Sequence, residues 1–366
     1  MSSNKLGYIE AISVIAIATI SNVLLNEAKS VFKNTGSGAI LNILYVSILA
    51  FIIVFTIYKL FKNFKGLDIL DISEFTGGKW LKIFTGFSFI LLIFFYASIV
   101  LRDMGEDLQI IYFQNVNIAY ILMLLILPAA IINMLDFKTA VKCNLIMVIV
   151  ISIVSTVLYL ALIPKFTYQR IFPILGNGAN SIFITGVSLL SSFIGFAYLY
   201  FIMPLLKDYK DFKKVGFIAT GLCIYSIILS VVGLLLIFPF VLPANESAPI
   251  YLLARQINFG TFIERADILL IVIWILTIFN NLSIALSFIL YIFKKVTNIK
   301  DTKSISLCFS LILYALSLIY NDLIQLDTME NKIFVYAFFI IVFVLGLGVL
   351  ILANIKHKIQ KKKGVL

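Results

Sequence analysis

Charged residues are scarce in this chain, and so are the residue types that build most catalytic and metal sites. Only 13% of the 366 residues are charged, whereas 62% are hydrophobic, which is more apolar surface than a water-soluble fold can bury. The single histidine, His357, lies in a basic stretch near the end of the sequence, so no His-based metal site or catalytic dyad can be built. The sequence therefore does not support an enzyme and predicts neither a metal nor a cofactor.

Cysteine is also rare. Cys143, Cys223 and Cys308 each lie inside or at the edge of an apolar stretch, and such an odd, scattered set does not predict a disulfide framework. We interpret all three as small packing residues, which is how free cysteine usually behaves.

Long uncharged runs fill most of the sequence. About 20 apolar residues suffice to cross the hydrocarbon core of a bilayer, and ten runs of sixteen or more uncharged residues follow one another, separated by short charged connections. The runs are residues 11–26, 34–58, 83–101, 108–135, 143–164, 171–206, 215–245, 268–293, 304–321 and 333–355. We predict an all-α integral membrane protein whose ten transmembrane helices form a single domain over residues 1–366.

The basic residues indicate the orientation of these helices. If the runs cross alternately, 21 of the 29 Lys and Arg residues lie on the side of the N-terminus and 8 lie on the other side. This asymmetry follows the positive-inside rule and predicts that both termini are cytoplasmic. The net charge of +11 is therefore explained by topology, and nucleic acid is not a predicted partner. The basic cytoplasmic tail, residues 357–366, is expected to contact anionic lipid headgroups.

Ten helices divide evenly into two sets of five, residues 1–164 and 171–356. In inverted-repeat transporters the first helix of each half is broken near the midplane, so helices one and six are the ones to inspect. Helix one carries a polar cluster of Thr19, Ser21 and Asn22, and helix six carries small residues at its middle: Gly186, Ser188, Ser191, Ser192 and Gly195. We predict that both helices are discontinuous. The alternative is that these small residues only allow close helix packing.

Charged residues at the borders of the runs form three further groups. They are Glu10 near the start of helix one; Arg102, Asp103, Glu106 and Asp107 at the end of helix three; and Glu264, Arg265 and Asp267 at the start of helix eight. Charges near hydrocarbon are costly and commonly functional, although solvated helix ends are the alternative. We assign Arg102 with Glu106, and Arg265 with Asp267, to gating or partner contact. No carboxylate lies deep in a predicted span, so no proton-coupled site is expected.

Several segments in order resemble one known family. They are Asp68 to Trp80, with the sequence DILDISEFTGGKW; Leu101-Arg102 followed by Glu106; the connection from Ala248 to Asp267; and Trp274. Together they resemble the B subunit of spore germinant receptors, the spore germination permeases, over most of the chain. Relatives usually carry glycine at the position of Ser21 and glutamate at the position of Asp267.

The resemblance implies a fold and a function. That family belongs to the amino acid-polyamine-organocation superfamily, whose LeuT-like fold is a five-plus-five inverted repeat. The implied function is recognition of a nutrient, typically an amino acid, in the spore inner membrane, where binding triggers germination. The implied partners are a larger A subunit and a lipoprotein C subunit. An autonomous amino acid permease remains the alternative.

A zwitterionic amino acid needs donors for its carboxylate and acceptors for its ammonium group, and half-helix ends supply both. We expect the carboxylate near Thr19 to Asn22 and the ammonium group near the carbonyls of Gly186 to Ser188. Four further residues are predicted to line the pocket, with ordinary packing as their alternative: Tyr96, Trp274, Asn280 and Asn281. The full predicted ligand-binding set is Thr19, Ser21, Asn22, Tyr96, Gly186, Ser188, Ser191, Gly195, Trp274, Asn280 and Asn281.

The predicted topology can be tested by cysteine labelling. A cysteine placed at Lys362, or in the connection from Lys59 to Lys82, should resist a membrane-impermeant thiol reagent added outside intact cells and react after permeabilisation. Modification of the Lys362 variant in intact cells would contradict the ten-helix arrangement.

Overall fold

The structure is a computed structural model and describes residues 5–25, 27–135, 137–257, 266–299 and 303–363. Within these residues seven helices are long and apolar enough to cross a membrane, and a bent pair of helices forms an eighth span. Two shorter apolar helices, Tyr8–Leu24 and Ile305–Ser317, bring the number of apolar segments to ten.

The helices follow one another with short connections. Their bounds are α1 Tyr8–Leu24, α2 Glu27–Thr35, α3 Ala39–Phe61, α4 Ile69–Ile111, α5 Ile118–Leu135, α6 Phe137–Leu162, α7 Ala179–Phe183, α8 Gly195–Ile202, α9 Phe212–Ile237, α10 Val241–Asn245, α11 Pro249–Arg255, α12 Ala266–Thr297, α13 Lys303–Ser317, α14 Leu323–Thr328, α15 Val335–Phe338 and α16 Gly348–Lys362. A 3₁₀ helix, Thr185–Ser192, joins α7 to α8, and two π-helical segments, Met329–Phe334 and Phe339–Leu347, join α14, α15 and α16.

The first crossing is made of two helices. α1 ends at Leu24, the next residue, Leu25, has non-helical φ and ψ of −83° and −113°, and α2 begins at Glu27. At the far end of α2, the Thr35 carbonyl accepts a hydrogen bond from the Asn177 N–H at 3.2 Å, in a connection before helix six. Helix one is therefore discontinuous. The predicted end of its span at residue 26 is wrong, because the charged residues of α2 interrupt the uncharged run.

Helix six also breaks, at the point where it meets helix one. The segments Ala179–Ser192 and Gly195–Leu205 are bent by 54° relative to each other. The Thr19 hydroxyl donates a hydrogen bond to the Ser192 carbonyl at 2.8 Å, just before the bend. Just after the bend, Gly195 lies so close to α1 that a Cβ atom there would be 2.2 Å from the Ile15 carbonyl oxygen. The predicted break in helix six is confirmed, and the two breaks are neighbours.

Helix three begins with a short helix that is set off by two glycines. Gly77 and Gly78 have non-helical backbone angles, and Gly78 has φ of 74°, a left-handed conformation that glycine adopts without a Cβ penalty. They divide α4 into residues 69–76 and 79–111. The short part begins at Asp68, whose carboxylate accepts hydrogen bonds from the Leu70 and Asp71 N–H groups at 3.0 and 3.1 Å, the expected arrangement at a helix N-terminus.

One buried carboxylate connects this short helix to α12, which is helix eight. The Asp68 side chain is fully buried and accepts hydrogen bonds from Lys295 at 2.7 Å and from the Tyr291 hydroxyl at 2.6 Å. Burial raises the pKa of the Asp68 carboxyl, and the positive charge of Lys295 opposes that shift. A buried carboxylate is tolerated when it is paired in this way.

Both described ends of the chain lie at the same end of the bundle, which we call the N-terminal face. There the Leu6 N–H donates to the Leu205 carbonyl at 2.7 Å, and the rings of Phe64 and His357 lie 5.8 Å apart. The end that holds Thr35 and Asn177 is called the opposite face.

Removal of the Asp68 carboxylate should destabilise the protein. Asp68→Ala removes the helix cap, which costs about 0.5–2 kcal/mol, and the buried acceptor of Lys295 and Tyr291, which costs a further ~1–3 kcal/mol, while Lys295 keeps its contact with Asp71. Thermal unfolding of the detergent-purified protein measures the change. The matched control is Glu74→Ala, because Glu74 is half-exposed and pairs with Lys82 at 2.7 Å, a surface pair of about 1 kcal/mol or less. Equal melting temperatures for the two variants would contradict this account.

The contact between helices one and six gives a second stability prediction. In Gly195→Ala the new methyl group would overlap the Ile15 carbonyl, and overpacking of this kind costs about 1–3 kcal/mol. Gly221→Ala is the control, because a Cβ atom added to Gly221 in α9 would have no neighbour within 4 Å, and alanine is favoured over glycine in a helix by roughly 0.5–1 kcal/mol. A melting temperature of Gly195→Ala at or above that of the unmodified protein would sink this interpretation.

Candidate functional site

An opening lies beside the two helix breaks. Its volume is about 30 Å³, which is room for one or two water molecules. Its walls come from helix one, the start of helix two, helix six and helix ten. The lining residues include Asn22, Glu27, Asn42, Ser188, Glu330 and Phe334. Four predicted ligand-binding residues line it, namely Asn22, Gly186, Ser188 and Ser191.

Three other predicted residues meet in a buried polar network. The Asn281 amide of helix eight donates hydrogen bonds to the Ser21 hydroxyl at 2.6 Å and to the Tyr96 hydroxyl at 2.8 Å. Tyr96, from helix three, donates in turn to the Ala18 carbonyl at 2.9 Å. The network joins helices one, three and eight, and its contact with helix one lies before the break at Leu25. These side chains mainly satisfy one another, and they are not among the residues that line the opening.

The remaining predicted residues take packing positions. Thr19 and Gly195 hold helix one against helix six, as described above. Asn280 donates to the Leu276 carbonyl of its own helix at 2.8 Å. Trp274 is almost fully buried, and its indole N–H has no hydrogen-bond partner among the described residues. Their role in ligand binding stays a prediction.

The backbone N–H groups that we expected to bind the carboxylate are not free in the structure. α1 is helical from Tyr8 to Leu24, so the backbone N–H groups of Thr19 to Asn22 lie inside a continuous helix and are used by it. The break comes after this cluster, at Leu25, and the helix that begins there starts with Glu27. Its first N–H groups are therefore the free donors nearest the opening.

Two carboxylates line the opening, although the sequence predicted none inside a span. Glu27 is 8% exposed and accepts a hydrogen bond from the Ser192 hydroxyl. Glu330 is partly exposed and lies in helix ten, the long helical segment Leu323–Lys362 that comprises α14, α15 and α16. The prediction failed because both residues fall in short charged stretches between uncharged runs. Helical spacing was the signal that could have revealed α2, since Ala28, Val31, Phe32 and Thr35 are all buried.

The charged group at the end of helix three is also buried. The exposed fractions of Arg102, Asp103, Glu106 and Asp107 are 5%, 2%, 9% and 1%, because helix three continues to Ile111 inside the bundle. Arg102 pairs with Glu106 at 2.6 Å and lies 3.4 Å from the Ser317 carbonyl. The alternative of solvated helix ends is thus wrong for this group.

Asp107 stands apart within the same group. Neither of its carboxyl oxygens has a hydrogen-bond partner among the described residues, and its charge interacts with those of Lys29, Glu106 and Glu330. It therefore lies in the electrostatic surroundings of the opening.

The predicted gating pair at helix eight is described only in part. Arg265 and the neighbouring Glu264 fall in residues 258–265, outside the described residues. Asp267 is 5% exposed and accepts a hydrogen bond from the Tyr251 hydroxyl at 3.4 Å. Within the described ranges, no group of three His, Cys, Asp or Glu residues is arranged to hold a metal ion.

Two solved structures share this arrangement of helices. One is the substrate-bound outward-open state of a Na⁺-coupled sialic acid symporter, with a TM-score of 0.65 and 13% identity, and the match covers 93% of this chain and 80% of that one. The other is Mhp1, a nucleobase-cation-symport-1 family transporter, in a closed conformation with bromovinylhydantoin bound, with a TM-score of 0.59, 13% identity, and coverage of 93% and 81%. Both are transporters of the LeuT fold, so the predicted fold class is confirmed.

Similarity at the sequence level identifies the family. No curated protein matches the chain significantly. The family model described as spore germination protein matches residues 5–326, which is most of the sequence and includes helices one to nine. The chain, a multi-pass membrane protein with a transporter-like fold, belongs to the spore germination protein family.

Proposed function

We propose that this protein recognises a nutrient germinant, an amino acid, as the transporter-like B subunit of a spore germinant receptor, and that binding triggers germination. The observation that carries the proposal is the polar opening between the breaks of helices one and six. Broken helices expose backbone donors and acceptors inside a membrane protein, which is how transporters of this kind bind polar substrates. Asn22, Ser188 and Ser191 add neutral polar side chains to its wall.

The proposal includes a location and partners. The protein resides in the spore inner membrane with both termini in the cytoplasm, and it assembles with an A subunit and a lipoprotein C subunit. The 21 to 8 distribution of basic residues supports the orientation. At the N-terminal face, Lys5 donates to the Pro204 carbonyl and Lys356 donates to the Phe75 carbonyl.

Charged pairs have different roles in this proposal. Arg102 and Glu106 are buried against each other, so they act within the bundle and not in direct contact with a partner subunit. Asp267 lies in the first turn of α12, and with Arg265 it controls access to the opening. The two five-helix repeats are residues 1–164 and 171–356.

An autonomous amino acid permease is the second candidate. The similarity of the fold to two symporters favours it. Proteoliposomes that contain only this chain distinguish the candidates: a permease accumulates labelled amino acid inside, whereas a receptor subunit binds amino acid without sustained uptake.

Filling the opening should weaken amino acid binding. In Gly186→Leu the new side chain would start 2.0 Å from the Asn42 amide nitrogen and occupy the opening, so affinity for the amino acids that bind the unmodified protein should fall at least about tenfold, or 1.4 kcal/mol. Calorimetry on the purified protein measures affinity, after a first screen of the twenty amino acids.

Gly221→Leu serves as the control, since it adds the same side chain to open space in α9 and should leave affinity unchanged. The proposed site is wrong if Gly186→Leu binds amino acids normally, and the amino acid assignment is wrong if none of the twenty binds the unmodified protein.

A further inference from the structure

The unsatisfied polar side chains around the opening are hydrogen-bond acceptors. Asn42 is 1% exposed, and its amide nitrogen donates to the Ile182 carbonyl at 2.8 Å. That contact fixes the orientation of the amide, and the Asn42 Oδ1 atom has no hydrogen-bond partner among the described residues. A buried acceptor without a partner costs about 1–3 kcal/mol. Two carboxylates, Glu27 and Glu330, line the same opening. The groups there that need a hydrogen-bond partner are therefore acceptors, and a ligand that donates hydrogen bonds would satisfy them.

Several acidic side chains cluster around the opening. Glu330 interacts with the charges of Glu27, Asp103 and Asp327, and Asp107, buried and without a described hydrogen-bond partner, adds to this field. Acidic side chains inside a bundle are costly unless a positive charge accompanies them.

The basic side chains nearby are shared with other carboxylates. Lys33 pairs with Asp327 at 2.7 Å, and Lys29 lies 4.0 Å from the same residue. Lys29 also acts on Glu330 and Asp107. Arg102 is engaged by Glu106. Acidic side chains around the opening therefore outnumber the basic ones, and these contacts tie the basic ones to other carboxylates.

An aromatic ring completes the site. Phe334 lines the opening one turn after Glu330 on helix ten, and an aromatic face attracts a cation within about 6 Å of its centre. Carboxylates, an amide oxygen and an aromatic ring together match a small organic cation better than an anion.

We propose that this opening selects a ligand that carries a protonated primary amine, and that its ammonium group binds between Glu27 and Glu330 and donates to the Asn42 Oδ1 atom. An ammonium group has three donors and no acceptor, which matches these three groups. The inference rests on the proposed function, because it assigns the ammonium end of the amino acid. It moves that end from the carbonyls of Gly186 to Ser188 to the side of the opening formed by α2 and helix ten.

The test compares ligands that differ only in their charged groups. For each of three side chains, the purified full-length protein is titrated with an amino acid, its decarboxylated amine and its deaminated acid. The series are L-alanine, ethylamine and propionate; L-leucine, isopentylamine and 4-methylpentanoate; and L-phenylalanine, phenethylamine and 3-phenylpropionate. In at least one series the amine should bind, and in none should the acid bind more tightly than the amine.

Variants then locate the amine. Glu330→Gln and Glu27→Gln should each weaken amine binding by about tenfold or more, since a hydrogen bond to a charged group contributes about 1.5–3 kcal/mol. Glu246→Gln is the control, because Glu246 follows α10 and does not line the opening. It makes the same change of charge and should leave affinity unchanged. Melting temperature and elution profile verify folding, and the comparison of ligands on the unmodified protein needs no variant.

The outcomes separate this inference from the proposed function. Binding of amines without binding of any amino acid overturns the amino acid assignment and supports the ammonium site. Binding of amino acids and deaminated acids, with no binding of amines, supports the amino acid assignment and overturns the ammonium site. The ammonium site is also overturned if no amine binds in any series, or if folded Glu27→Gln and Glu330→Gln both bind amines as the unmodified protein does.

Discussion

Every backbone N–H and C=O group inside a bilayer must find a partner within the protein, and this constraint shapes the structure. A helix that stops in the middle of the membrane exposes several such groups, so it needs a neighbour that shields them from lipid. Here two interrupted helices shield each other: the Thr19 hydroxyl donates to the Ser192 carbonyl, and Gly195 brings the two backbones together. The space left between them is polar because it is lined by helix ends.

The same constraint explains where the buried charges lie. Lipid cannot solvate a carboxylate, so acidic residues within the bundle depth face its interior. Glu27 begins the second half of helix one, where the positive end of the helix dipole favours a negative charge. Arg102 and Glu106 neutralise each other on one helix face, as residues four positions apart can. At the N-terminal face, the buried Asp68 carboxylate accepts hydrogen bonds from Lys295 and Tyr291. Charge is thus concentrated where helices begin, end or pair.

The sequence predicted the fold well because uncharged runs report directly on burial in lipid. The class of fold and the break in helix six could both be read from it. It also selected Ser21, Tyr96 and Asn281, which lie on three helices and meet in space.

The limits arise from the same rule. In the sequence, Glu27 and Glu330 fall between uncharged runs. A search for such runs therefore assigns both residues to connections, although both line the polar opening. The break in helix one was placed too early, since polar side chains such as Thr19 can bond across to a neighbouring helix without unwinding their own. Which residues contact a ligand depends on how helices face one another, and periodicity within one helix does not determine that.

The attachment of helix ten to the short helix before helix three bears on how the protein is made. Lys356 donates a hydrogen bond to the Phe75 carbonyl at 2.7 Å, across a separation of 281 residues. At a synthesis rate of roughly 5–20 residues per second, the ribosome needs on the order of fifteen to sixty seconds to reach the lysine after the phenylalanine has emerged. During that interval the short helix has only partners that have already been synthesised, and this contact forms only after helix ten has been made. A nascent chain released before helix ten would lack this contact.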